Sequence, residues 1–244
     1  MFRIYCLSGD ISGDEITFTD TQQIHHLRDV LRIKSDEEII VCDEKGDEYI
    51  TAIDSFKSAK MVLRIKKRSG FVTDNKPKIT VACAIPKRSN MDEIIDKLTQ
   101  LGVYRIIPLQ TERVIVRIGQ DKKISRQKRW SKIALNASQQ SQRKILPVVD
   151  PVRDIKELLA ELDEFDLRLI PTLEGERITI KEILKKGKPE SIIVFIGPEG
   201  DFTPEEVEMA KKALCIPVTL GDLVLRVETA AIAVAGFLRF YEEA

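Results

Sequence analysis

From Ile79 onward the chain repeats one rhythm: a short apolar run, a turn, then a stretch with helical spacing. ITVACAIP, YRIIPLQ, FDLRLIPT, SIIVFIG and VTLGDLVL are the apolar runs. Strands joined by helix-length crossovers pair in parallel, so the rhythm predicts a mostly parallel sheet with helices on its faces. The first helix is expected to begin near Ser89-Asn90, with Glu93 placed to complete a capping box. A long basic helix is expected to run through about Arg143, followed by helical patterns in ITIKEILKKG and TPEEVEMAKKAL. The last helix, TAAIAVAGFLRFY, is apolar almost all round, which predicts burial on more than one side and packing at a subunit interface.

Up to about Gly70 the pattern is different. FRIYCL, DEITFT, EEIIVCD, DEYITAI and KMVLRIKKR read as short strands, and KGD as a hairpin turn. TQQIHHLRDVLRI interrupts them as a helix, with Ile24, Leu27, Val30 and Leu31 on one face. Many short strands with little helix predict a small β-barrel. VTDNKPK (72–78) is polar, contains proline and lacks periodicity, so we place a linker there. The expected domains are 1–72 and 73–244, and 244 residues are enough for both cores.

MFRIYCLSGD has polar breaks where a secretory leader needs an apolar core, and Ala230 to Leu238 is too short to span a bilayer. A cytoplasmic protein with no membrane contact is expected. The four cysteines are scattered without a CxxC pair, so they read as reduced core thiols rather than disulfides or zinc ligands. His25 and His26 stand together near the N-terminus, away from any catalytic pattern, and no metal is expected.

Net charge is zero, but its distribution is uneven. Arg113 to Lys144 holds ten basic residues against the single acid Asp121. A solvated helix normally mixes signs. A block this one-sided points to a polyanionic partner. Trp130 lies within it, as either a stacking platform for a base or a core anchor.

Two stretches carry candidate chemistry. IGPEGDF (196–202) closes a strand and opens into TPEE, where Thr203, Pro204 and Glu206 read as N-cap, first helical residue and capping-box partner. No lysine follows its glycines and Glu199 and Asp201 would repel phosphate, so a neutral or cationic ligand is expected. LGDLVLRVETA (220–230) sets Arg226 and Glu228 in an apolar context, where charge is costly unless paired or used. A structural ion pair and a catalytic pair are both open. ITVACAIPKRSN contains no glycine, which argues against an ordinary dinucleotide fold.

These stretches together resemble the SPOUT-class RNA methyltransferases, and within them the RsmE-like family that methylates N3 of a uridine in 16S ribosomal RNA. HLRDVLR (26–32), KLTQLGV (97–103), PLQTERV (108–114) and SQQSQR (138–143) match in order, as do IGPEGDF and LGDLVLRVETA. The resemblance implies an N-terminal PUA-like barrel, an α/β domain with a deep trefoil knot, a homodimer through the C-terminal domain, and S-adenosylmethionine as cofactor. It implies cofactor contacts from Thr172, Gly197, Glu199, Gly200, Leu220, Gly221, Leu225 and Thr229. It also implies RNA contacts from Arg3, His26, Arg32, Arg113, Gln140 and Arg143, on 16S rRNA or the small ribosomal subunit. Arg226 is expected to stabilise charge on the nucleobase, and Glu228 either to accept a proton or to orient Arg226. Three positions depart from the family pattern: Asp201 replaces a glycine, Leu223 an arginine, and Gln100 a glutamate. Two alternatives remain at this point. One is a SPOUT enzyme acting on another rRNA or tRNA nucleoside, and the other is a non-catalytic RNA-binding assembly factor.

Overall fold

The structure is a computed structural model that describes residues 2–30, 33–34, 37–43, 46–57, 60–71, 76–87 and 90–241. It divides into two compact units: Met1–Asp74 with Ser138–Leu146, and Asn75–Ala137 with Pro147–Ala244.

The first unit is built on one six-stranded sheet. Its strands are β1 (Phe2–Tyr5), β2 (Ile11–Ser12), β3 (Glu15–Phe18), β4 (Glu38–Cys42), β5 (Asp47–Lys57) and β6 (Lys60–Phe71), in the order β1-β4-β5-β6-β3-β2. Ile39 and Val41 are buried while Ile40 between them is only half-buried, the alternation of a sheet with one core face. β5 and β6 are longer than their apolar runs suggest. Register shifts between Glu48 and Tyr49, Ile50 and Thr51, and Ile53 and Ser55 let this long hairpin bend. α1 (Thr21–His25) ends sooner than expected and continues as a π-type turn over His26–Val30. Ile24 and Leu27 are buried in the same core cluster as the strands.

In the second unit every strand pair is parallel. The chain runs β7 (Lys78–Ala84), α2 (Met91–Gln100), β8 (Arg105–Gln110), α3 (Gln120–Gln140), β9 (Val148–Val149), β10 (Arg153–Asp154) and α4 (Ile155–Leu159). It continues through β11 (Leu167–Pro171), β12 (Ile178–Thr179), α5 (Ile180–Leu184), β13 (Ser191–Ile196), α6 (Pro204–Lys212), β14 (Ile216–Thr219) and α7 (Val227–Phe240). The sheet order is β10-β8-β7-β13-β11-β14-β12, with β9 beside β8. β13 shows why its run is unbroken. Ile192, Val194 and Ile196 enter the core cluster shared with Ala231 and Val234 of α7, whereas Ile193 and Phe195 enter the one shared with Leu158 of α4 and Ala210 of α6.

One local expectation is corrected. Asn90 does not cap α2: it has helical backbone angles and no side-chain capping bond, because its amide reaches Glu228 instead. α7 buries one face within the chain, and Phe237 and Phe240 on its other side are 39% and 53% exposed. α3 stops at Gln140, two residues before Gln142 takes a left-handed φ of 53°. All four cysteines are buried and none is in a disulfide, and among the described residues no helix is long and apolar enough to cross a membrane.

Candidate active site

Parallel strands deliver their following loops to one edge of the sheet. There, the loops after β11, β13 and β14 and the first turn of α7 line one pocket with about 600 Å³ of empty space, part of it open to solvent. Ile196, Leu225, Val227 and Ala230 supply apolar lining, and Glu199 and Asp201 supply negative charge. Arg177, the one basic residue in the lining, donates to the Thr172 carbonyl at 2.9 Å. The pocket therefore suits a ligand with an apolar body and a cationic centre better than a phosphate.

Six of the expected cofactor residues meet here: Thr172, Gly197, Glu199, Leu220, Gly221 and Leu225. Gly200 and Thr229 do not line the pocket. Gly200 turns its carbonyl to Arg113, and Thr229 is exposed on α7. Gly197 is needed for close approach, since a Cβ there would lie 3.2 Å from the Phe202 ring and 3.3 Å from Asp201 Oδ1. Gly221 has φ 110°, a conformation L side chains rarely adopt. Thr203 and Glu206 form the expected capping box, with Pro204 opening α6.

The Gly197–Phe202 loop is tied to other strand-end loops by three side chains. Glu199 Oε1 accepts from the Lys87 backbone N–H at 2.8 Å. Arg113 Nη1 donates to the carbonyls of Gly200 at 2.5 Å and Phe202 at 3.2 Å. Asp201 Oδ2 accepts from Leu173 N–H at 2.8 Å. Just beyond, buried Glu206 accepts from the N–H groups of Glu112 and Thr203 with separate oxygens.

Arg226 is the N-cap of α7 and is exposed, between the two pocket-lining residues Leu225 and Val227. Among the described residues, nothing accepts a hydrogen bond from its guanidinium. Glu228 is half-buried in the first turn, and its Oε1 accepts from Asn90 Nδ2 at 3.3 Å. It does not pair with Arg226, so the structural ion pair is not formed. Cys83, fully buried, is pushed well above the ordinary thiol range, first by burial and then by the charges of Glu228 and Glu199. It stays a thiol there, poorly suited to nucleophilic work.

The expected RNA residues are less uniform. Arg3 is turned to Glu48 at 2.5 Å, and its guanidinium also donates to Cys42 Sγ at 3.1 Å. Arg113 holds the Gly197–Phe202 loop, as described above. Gln140 is exposed, and Arg143 Nε donates to the Ile145 carbonyl at 3.0 Å. Arg32 and the His26 side chain lie outside the described residues. His25 is exposed and sits 2.5 Å from Asp29. Trp130 is 2% exposed, its indole N–H donating to Asp92 Oδ1 at 3.1 Å, which makes it a core anchor. Lys122, Arg126, Lys128, Arg129 and Lys132 of α3 are exposed.

Sequence reasoning missed Leu173, Arg177, Pro198, Val224, Val227 and Ala230 in the lining. Pro198, Val224, Val227 and Ala230 lie inside the two quoted stretches and were within reach. Leu173 and Arg177 carry no motif, and only the pairing of β11 between β13 and β14 brings their loop to the same edge.

The family described as RNA methyltransferase domain matches residues 73–239, and the one described as RNA methyltransferase PUA domain matches residues 18–63. A ribosomal RNA small subunit methyltransferase E from Bacillus subtilis is 29% identical over 93% of this chain and 91% of its own length. The protein of that name from Mesomycoplasma hyopneumoniae is 31% identical over 86% of this chain and 87% of its own. A solved ribosomal RNA small subunit methyltransferase E from Neisseria gonorrhoeae, bound to S-adenosyl methionine, superposes with a TM-score of 0.85 at 28% identity, covering 99% of this chain and 98% of that one.

Proposed function

Because the chain belongs to the ribosomal RNA small subunit methyltransferase E family, we propose that it methylates N3 of a uridine in 16S ribosomal RNA with S-adenosylmethionine as donor. The observation that carries this reading is the pocket at the carboxyl edge of the sheet, with Arg226 exposed between two of its lining residues.

S-adenosylmethionine, when bound, supplies an electrophilic methyl group on a sulfonium cation. The chain's own residues handle the rest. Backbone groups of the three loops and the apolar lining hold the donor, while Glu199 and Asp201 favour its positive charge. Uridine N3 must lose its proton, and negative charge then spreads over O2 and O4. Arg226 can donate charge-assisted hydrogen bonds to one of these oxygens while leaving N3 open to the methyl group. Glu228 is the proton acceptor, its carboxylate positioned by Asn90.

The basic face of α3 supplies phosphate contacts, with Gln140 and Arg143 beyond it. Binding of the 16S target is expected to weaken roughly a hundredfold or more between 50 and 200 mM salt. Reversing Lys122, Arg126 and Lys128 to Glu should flatten that slope in a filter-binding titration, and an unchanged slope would remove α3 from the RNA surface. A second copy of the chain covers the exposed stripe of α7, where Thr229, Ala233 and Gly236 are small and Phe237 and Phe240 are partly bare. The reading also carries a trefoil-knotted course for residues 73–244 and action in the cytoplasm.

Saturating S-adenosylmethionine is expected to raise Tm by about 5–10 °C at ~100 times Kd. Mass analysis of 16S rRNA from a deletion strain should then lack one uridine methylation. No thermal shift would leave a protein that only holds RNA, and a methyl missing from tRNA would reassign the substrate.

A further inference from the structure

Asp201 stands where the backbone has φ 58°, a left-handed conformation that is uncommon outside glycine. Aspartate is among the residues that tolerate it, but a glycine would adopt it more readily. What the side chain gains is visible in its two bonds. Oδ1 accepts from the Phe202 N–H at 2.8 Å, closing its own turn, and Oδ2 accepts from the Leu173 N–H at 2.8 Å. Leu173 belongs to the loop after β11, and Asp201 to the loop after β13. Both residues line the pocket, together with their neighbours Thr172 and Gly197.

The other two ties of this loop run elsewhere, from Glu199 to Lys87 and from Arg113 to the Gly200 and Phe202 carbonyls. Neither of them reaches the loop after β11. Thr172 is buried and its N–H is held by the Val218 carbonyl, but Leu173 is 46% exposed and residues 174–179 are exposed too, so the segment beyond Thr172 has little packing to fix it. We propose that Asp201 is a positioning residue that braces the two pocket walls through the Leu173 amide and so sets the affinity for the methyl donor. This rests on the methyltransferase reading given above. A charge-assisted bond to a backbone N–H is among the stronger kinds available, and it orders a wall before the ligand arrives.

The test is calorimetric titration of S-adenosylmethionine into the full-length protein and its Asp201→Gly and Asp201→Asn variants. Asp201→Gly keeps the left-handed turn without strain and removes the brace together with the bond to the Phe202 N–H and the side chain's charge, which the asparagine variant separates from the brace. It is expected to weaken donor binding about tenfold, raise KM for the donor in step, and leave both Tm and kcat at saturating donor near the wild-type values. Amide exchange at Leu173 should quicken in the same variant. Asp201→Asn retains an acceptor and should recover most of the affinity. Wild-type affinity in the glycine variant overturns the brace, as does an asparagine variant as weak as glycine, which would assign the effect to charge. Failure of the wild-type protein itself to bind the donor sinks the methyltransferase reading, and this proposal with it.

Discussion

Arg226→Ala is expected to lower single-turnover methylation by about 10²–10³-fold while leaving the Kd for S-adenosylmethionine within a few-fold. The split follows from where the residue sits. Leu225 and Val227 line the pocket, but Arg226 itself does not, and it is exposed. Among the described residues no acceptor holds its guanidinium, so truncation removes no internal partner and should cost little stability. The group is therefore free to meet charge that develops on a nucleobase. Arg226→Lys keeps the charge but loses the planar pair of donors, so it should recover only part of the rate. Quenched single-turnover assays beside calorimetry decide the matter. A large loss of donor affinity with a normal rate would move Arg226 into the cofactor site.

Trp130→Ala is expected to destabilise the second unit by about 3–5 kcal/mol, read as a lower denaturation midpoint at unchanged m. The indole is 2% exposed, and its N–H is satisfied by Asp92 on α2. Arg129 pairs with that same carboxylate. Removing the ring leaves a cavity and an aspartate with one partner fewer. A stacking residue would behave differently: RNA affinity would fall while the midpoint stayed. A mutant with wild-type stability and weak RNA binding would return Trp130 to the RNA surface.

The parallel sheet was legible because each apolar run was bounded by turns and followed by a helical period. β13 is the clearest case, since a strand buried on both faces needs no alternation. The capping box at Thr203 was legible for a similar reason, being wholly local. The same pattern misled at Asn90, where a longer-range partner, Glu228, takes the amide that would have capped α2. For α7 the sequence shows an apolar surface without saying which molecule covers it. In the site, the glycine loops could be read directly. The brace from Asp201 to Leu173 could not, because it depends on β11 and β13 being neighbours, which no local spacing encodes. Arg3 and Arg113 carried a plausible charge, but their internal acceptors appear only after folding.

The pairing of β7 with β13 has a consequence during synthesis. Lys78 is registered with Ser191, so one edge of a central strand has no partner until most of the chain has left the ribosome. Until then β7 can pair only with the nearer β8, and its other row of N–H and C=O groups is open to wrong partners. Slowing translation before β13 has emerged from the ribosome should therefore increase the fraction captured by chaperones, whereas slowing it afterwards should not.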